Sequence, residues 1–145
     1  MAEITRKGSG EWKGDLKSGS GTLSLGSGVL DDQDFSFGTR LEEKPGTNPE
    51  ELVAAAHAAC FSMAFANTLA DKGHKPERIA TTATCVLVPS DGGFKISEMR
   101  LDVRGKVEGM DDATFRAMAE AGDKSCVISN ALRNNVEIKV EAKLE

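Results

Sequence analysis

The sequence predicts an α+β fold. Three observations carry that prediction. Short strand-like pieces separated by glycine turns fill the first forty residues; one long apolar helical segment follows; two long strands, two helices and a last strand close the chain. Strands and helices grouped in blocks, without strict βα alternation, indicate α+β architecture. The 145 residues fit one domain spanning 1–145.

Eight of the 15 glycines precede Thr39. Between them, Ile4–Lys13, Thr22–Leu25 and Phe35–Leu41 read as strands of an antiparallel meander. Asp15-Leu16-Lys17-Ser18-Gly19 and Gly26-Ser27-Gly28 supply the turns. A charged, proline-containing loop, Glu42–Gly46, leads to a helix start. There either Thr47 pairs with Glu50 in a capping box, or Asn48 is the cap with Pro49 in the first helical position. The helix runs to about Lys72 and stops at Gly73, so it spans roughly 36 Å. Its middle is apolar almost all the way round, from Leu52 through Met63. Such a helix needs cover on every side. A sheet covers one face, and in so small a chain a second subunit is the natural cover for the other.

Pro76 introduces a strand over Arg78–Val88, and Ser90-Asp91-Gly92-Gly93 forms a hairpin turn into a strand over Phe94–Val107. The apolar phase of that strand slips between Ile96 and Met99, which predicts a bulge near Ser97-Glu98. A helix starts at Met110 or Asp111, with Phe115, Met118, Ala119 and Ala121 inward and Gly122 interrupting it. Ser125–Leu132 reads as a third, short helix. Val136, Ile138, Val140, Ala142 and Leu144 then alternate with charged residues as a final strand.

Composition narrows the function. The net charge is −5, with no basic run, which argues against nucleic acid. The first ten residues have no apolar signal-type core, and the apolar run Leu52–Ala66 falls short of the roughly 20 residues that span a bilayer. A soluble protein in a reducing cytoplasm is the expectation. Three cysteines, Cys60, Cys85 and Cys126, cannot form an even disulfide framework, and no metal-ligand spacing is present.

Taken as residues alone, these cysteines differ. Cys60 lies mid-helix among small apolar neighbours, where a thiol is most often packing. Cys85 is in phase with the inward residues of its strand and reads as core. Cys126 sits near a helix start beside Lys124, a setting that favours thiolate. His57, three residues before Cys60, reads as a buried histidine bonded to a neighbouring element, or else as the base of a Cys60/His57 thiol hydrolase. Arg40 and Glu50 are ordinary surface and first-turn residues in isolation.

The motifs change this weighting. Trp12-Lys13-Gly14-Asp15-Leu16-Lys17-Ser18-Gly19-Ser20-Gly21, Thr39-Arg40-Leu41-Glu42 and the stretch Gly46–Met63 around His57-Ala58-Ala59-Cys60-Phe61 resemble the osmotically inducible protein C (OsmC) family. So does Cys126-Val127-Ile128-Ser129-Asn130-Ala131-Leu132. The pieces cover the whole chain in order. The related organic hydroperoxide resistance proteins share both cysteine motifs, and the Trp-x-Gly-Asp pattern indicates the OsmC branch. The resemblance implies an intertwined homodimer, with two long helices packed centrally and antiparallel sheets wrapped around them. It implies a thiol-dependent peroxidase for organic hydroperoxides, and less well for hydrogen peroxide. Cys60 is then the peroxidatic thiol, Cys126 the resolving thiol, and Arg40 with Glu50 the activating pair. No cofactor is needed beyond an external dithiol reductant, with a lipoyl-type dithiol as one candidate. One departure from the family pattern is Val127, where proline is common after the second cysteine.

These residue types suit the chemistry. Burial pushes a thiol's pKa up, and a guanidinium reverses that while bonding the peroxide oxygens. A carboxylate orients the guanidinium in a two-point fork. The sulfenic acid formed on attack must be captured by a second thiol before further oxidation. Apolar Phe61, Met63, Phe65 and Phe37 favour a lipophilic hydroperoxide. A non-catalytic dimer binding apolar ligands is the other alternative to the peroxidase.

Helix arithmetic adds a constraint. Glu50 and Cys60, ten residues apart, would be separated by about 15 Å along an unbroken helix. Nothing from Leu52 to Ala59 breaks a helix. The expectation is therefore a site shared across the dimer, with Glu50 reaching the partner subunit's Cys60.

Overall fold

The computed structural model describes residues 2–145, and these divide into two compact units, one ending at Leu52 and the other running from Val53 to Glu145. The chain is α+β, with one long helix and two small sheets.

The first unit holds β1 (Gly8–Lys13), β2 (Ser20–Leu25) and β3 (Gln33–Phe35), an antiparallel sheet in that order. Its glycines have a packing reason. A Cβ on Gly21 would lie 2.7 Å from the rings of both Trp12 and Phe35, and one on Gly19 would lie 2.9 Å from the Trp12 indole nitrogen. Only glycine leaves room for the Trp12–Phe35 ring pair, whose centroids are 5.5 Å apart.

The expected third strand is corrected here. Strand structure ends at Phe35, and Phe37–Leu41 is a short helix, α1. Phe35, Phe37, Thr39 and Leu41 alternate as a strand would, but Ser36 and Thr39 cap each other reciprocally, each side chain bonding the other's backbone N–H. Two local hydrogen bonds outweigh the period-two pattern.

The long helix α2 spans Pro49–Asp71 without a break. Of the two possible caps, Asn48 is the one used: its Oδ1 accepts from the Glu51 N–H at 2.8 Å, with Pro49 following it. Gly73, at φ +86°, ends the helix, and the His74 N–H turns back to the Leu69 carbonyl. The helix is long and apolar enough to cross a membrane by length and composition, exceeding the run expected from the sequence. It is nonetheless a core helix. His57, Phe61, Phe65 and Leu69, four residues apart each time, form a fully buried stripe.

In the second unit β4 (Arg78–Ser90) pairs antiparallel with β5 (Gly93–Lys106) through a tight turn at Asp91-Gly92, both at positive φ. The register shifts between Val86 and Leu87, which pair with Glu98 and Ile96, so Ser97 is the bulged residue. Helices α3 (Asp112–Ser125) and α4 (Val127–Leu132) form the crossover to β6 (Glu137–Leu144). That crossover returns the chain in its original direction, so β6 lies parallel to β5 and this sheet is mixed, not antiparallel as expected. Phe61, Phe65, Leu69, Leu101, Val103, Phe115 and Ala119 make the core.

Gly122 does not interrupt α3. It allows α3 to lie against α2: a Cβ there would be 2.9 Å from the Phe65 Cβ and 3.0 Å from its Cα. The helix continues to Ser125 and hands over at Cys126, which both ends α3 and caps α4.

Candidate active site

The structure gathers the four residues singled out from the sequence into two pairs, each within one unit. Arg40 lies in α1. Thr39, beside it, accepts a 3.0 Å hydrogen bond on its carbonyl from the Asn48 side chain, which joins α1 to the start of α2. This sets Arg40 against Glu50. The Arg40 Nε donates to Glu50 Oε1 at 2.9 Å, and a terminal guanidinium nitrogen lies 2.8 Å from the same oxygen. The expected two-point fork is thus a convergence on one oxygen. Glu50 Oε2 is buried with no partner among the described residues. An apolar pocket of about 290 Å³ opens at Arg40, walled by Trp12, Leu16, Phe35, Phe37 and Leu41. Phe37 therefore lines a pocket as expected. Phe61 and Phe65 are fully enclosed in the core and Met63 is exposed, so they do not.

Cys60 is half-buried on α2, and Cys126 is completely buried at the junction of α3 and α4. The Cys126 thiol donates to the Cys60 sulfur, Sγ to Sγ 3.3 Å. Burial pushes the Cys126 thiol above its ordinary value, opposed by the hydrogen bond from the Ser129 backbone N–H. Cys126 is accordingly a protonated donor at neutral pH, and the sulfur facing it is the acceptor. Val127 is exposed in the first position of α4, and the Cys126 backbone (φ −75°, ψ 115°) is of the extended type that precedes proline. Cys85 lies half-buried in β4 opposite Met99.

Sequence reasoning missed Ser129. It is fully buried, and its hydroxyl lies 2.7 Å from His57 Nε2. His57 is the enclosed histidine bonded to a neighbouring element that its setting suggested; its Nδ1 is buried with no hydrogen-bond partner among the described residues. Burial lowers its pKa, with Asp123 opposing and Arg133 assisting. The only available signal was spacing: His57 precedes Cys60 by three residues and Ser129 follows Cys126 by three.

Comparison with known proteins gives a consistent set of likenesses. Residues 41–141 match the family described as OsmC-like protein. The chain is 42% identical over 140 residues to peroxiredoxin OsmC of Escherichia coli (strain K12), covering 97% of this chain and 98% of that one. It is 33% identical over 125 residues to the organic hydroperoxide resistance protein OhrB of Bacillus subtilis (strain 168), covering 86% and 90%. The crystal structure of Bacillus subtilis OhrB superposes with a TM-score of 0.73 at 30% identity, covering 97% of this chain and 98% of that chain.

Proposed function

The chain belongs to the OsmC-like protein family, and on that premise we propose that it is a thiol-dependent peroxidase reducing organic hydroperoxides, and hydrogen peroxide less well, to alcohols. The observation that carries the reading is the pair of unlinked thiols at 3.3 Å, one donating to the other, 66 residues apart in sequence. Packing alone does not require two thiols to meet.

The Cys60 thiolate attacks the peroxide oxygen remote from the organic group. The O–O bond breaks, an alcohol leaves after taking a proton, and Cys60 becomes a sulfenic acid. Cys126 then displaces water from it and forms the Cys60–Cys126 disulfide. An external dithiol, of lipoyl type or similar, reopens that bond by exchange. Arg40, held by Glu50, donates to the peroxide and to the developing alkoxide. The apolar pocket beside Arg40 supports an organic tail on the substrate.

The working form is a homodimer in which the whole chain acts as one domain. Ala55, Ala56, Ala59 and Met63 leave an apolar face of α2 exposed, Met63 by 74%, and a second copy of the helix is its cover. In an unbroken α2, Glu50 and Cys60 stand about 15 Å apart along the axis. This favours sites in which Arg40 and Glu50 serve the partner's thiol pair. Cytoplasmic residence follows from the need for a dithiol to recycle the enzyme.

Anaerobic titration with cumene hydroperoxide tests the reading. Two thiols lost per chain, mapped to Cys60 and Cys126, are expected; loss of none sinks it. A mixed dimer of Cys60→Ser and Glu50→Ala subunits should recover about half of wild-type activity if sites are shared, because one site is then intact. No recovery means that each site is built from one chain.

A further inference from the structure

The peroxidase scheme leaves a fully enclosed titratable side chain, His57, unused. Its Nε2 lies 2.7 Å from the Ser129 hydroxyl. Ser129, equally enclosed, directs its backbone N–H to the Cys126 sulfur at 3.5 Å. The Cys126 thiol in turn donates to Cys60. The Cys126 sulfur thus accepts from the Ser129 backbone N–H and its thiol donates to Cys60, while the Ser129 hydroxyl is held by the His57 imidazole. The same contacts join the turn of α2 that carries Cys60 to the turn of α4 that carries Cys126.

We propose that His57 and Ser129 are positioning residues for the resolving step, His57 acting through the Ser129 hydroxyl to hold the Ser129 N–H on Cys126 and so Cys126 against Cys60. The inference rests on the reading of Cys126 as the resolving thiol. In that step the Cys126 sulfur attacks the Cys60 sulfenic acid. The Cys60 S–O bond breaks as the S–S bond forms, and the Cys126 proton leaves with the oxygen as water. No other reactant is needed. Sulfur loses its proton while buried, where the charged form is disfavoured. A backbone N–H already donating to that sulfur, on a residue itself held by the imidazole, stabilises the charge as it develops. The bond from α2 to α4 also keeps the thiols in reach, which matters because a sulfenic acid left waiting is oxidised further.

The test uses the full-length protein and cumene hydroperoxide. After one equivalent, the rate of disulfide formation is followed by quenching; under excess peroxide, the fraction of Cys60 carried to sulfinic acid is read by intact mass. Ser129→Ala, which keeps the backbone N–H but frees it from the His57 anchor, should slow disulfide formation about tenfold, the factor carried by one buried hydrogen bond. It should raise the sulfinic fraction while leaving the rate of the first oxidation within about twofold. His57→Leu removes the same bond from the other side and should act alike. His57→Gln retains a donor near the Nε2 position and should restore the wild-type partition. A purely structural role would lower thermal stability without altering the partition between disulfide and sulfinic acid. An unchanged partition in Ser129→Ala or His57→Leu, with a wild-type protein that does form the disulfide, overturns this inference alone. A wild-type protein that forms no Cys60–Cys126 disulfide overturns the peroxidase reading and this inference together.

Discussion

Replacing Gly122 by alanine should destabilise the protein and loosen the thiol pair, against the usual helical preference for alanine. The added Cβ would stand 2.9 Å from the Phe65 Cβ and 3.0 Å from its Cα. Non-bonded carbons settle at about 3.5–4.0 Å, so α3 must back away from α2 by about 0.5–1 Å. Phe65 has no room to yield, since it is fully buried with its ring 4.9 Å from that of Phe115. Overpacking of this kind costs about 1–3 kcal/mol. Alanine returns about 1 kcal/mol of helix propensity over glycine. The net loss is about 1 kcal/mol, which lowers Tm by roughly 2–4 °C in a chain of this size. The displacement should also reach Cys126, four residues on at the end of the same helix, and open the 3.3 Å sulfur contact. Thermal unfolding of both proteins at one concentration reads the first effect, because association shifts Tm. The rate of disulfide formation after one equivalent of hydroperoxide reads the second. A variant that melts higher and closes its disulfide at the wild-type rate would refute the argument that close helix approach selects glycine here.

Three other outcomes are expected. Val127→Pro should be tolerated and add about 0.4–1 kcal/mol, because the first position of α4 asks for no backbone N–H and Cys126 already has a compatible conformation; denaturant unfolding measures it. Arg40→Lys should slow peroxide reduction by about a hundredfold, since the guanidinium holds Glu50 with two nitrogens and presents a third, whereas an ammonium gathers its donors on one nitrogen, and stopped-flow oxidation of Cys60 follows it. His57 has a lowered pKa in the folded chain, chiefly from burial, with Asp123 and Arg133 facing it in opposition. The unfolded chain therefore binds the proton first. The associated stability is complete above the ordinary value of 6.5 and is lost as pH falls below it through the lower folded value. His57→Gln should lack that part of the acid-side decline in Tm, and a variant that tracks the wild type there would show that the imidazole does not titrate on unfolding.

Much of this protein was determined by signals that act over a few residues. The strict alternation from Val136 to Leu144 makes β6, the slip between Ile96 and Met99 marks the bulge at Ser97, and Asn48-Pro49 and Gly73 bound α2. The two cysteine motifs singled out Cys60 and Cys126 as candidates before any distance was known, where each thiol alone would pass for packing. Local rules failed where two of them competed or where a distant contact overrode them. Around Phe35–Leu41 an alternating pattern lost to a reciprocal Ser36–Thr39 cap. At Gly122 a residue unfavourable to helices was required by the backbone of α2. The parallel pairing of β6 with β5 depended on the path of the crossover, and no residue in β6 records it. The meeting of Cys60 with Cys126 across 66 residues, and of His57 with Ser129 across 72, arose only when α2 packed against α3 and α4. Caps, turns and periodicity are energies between near neighbours and are written in the order of residues, whereas such contacts depend on how buried surfaces fit, which no short stretch of sequence contains.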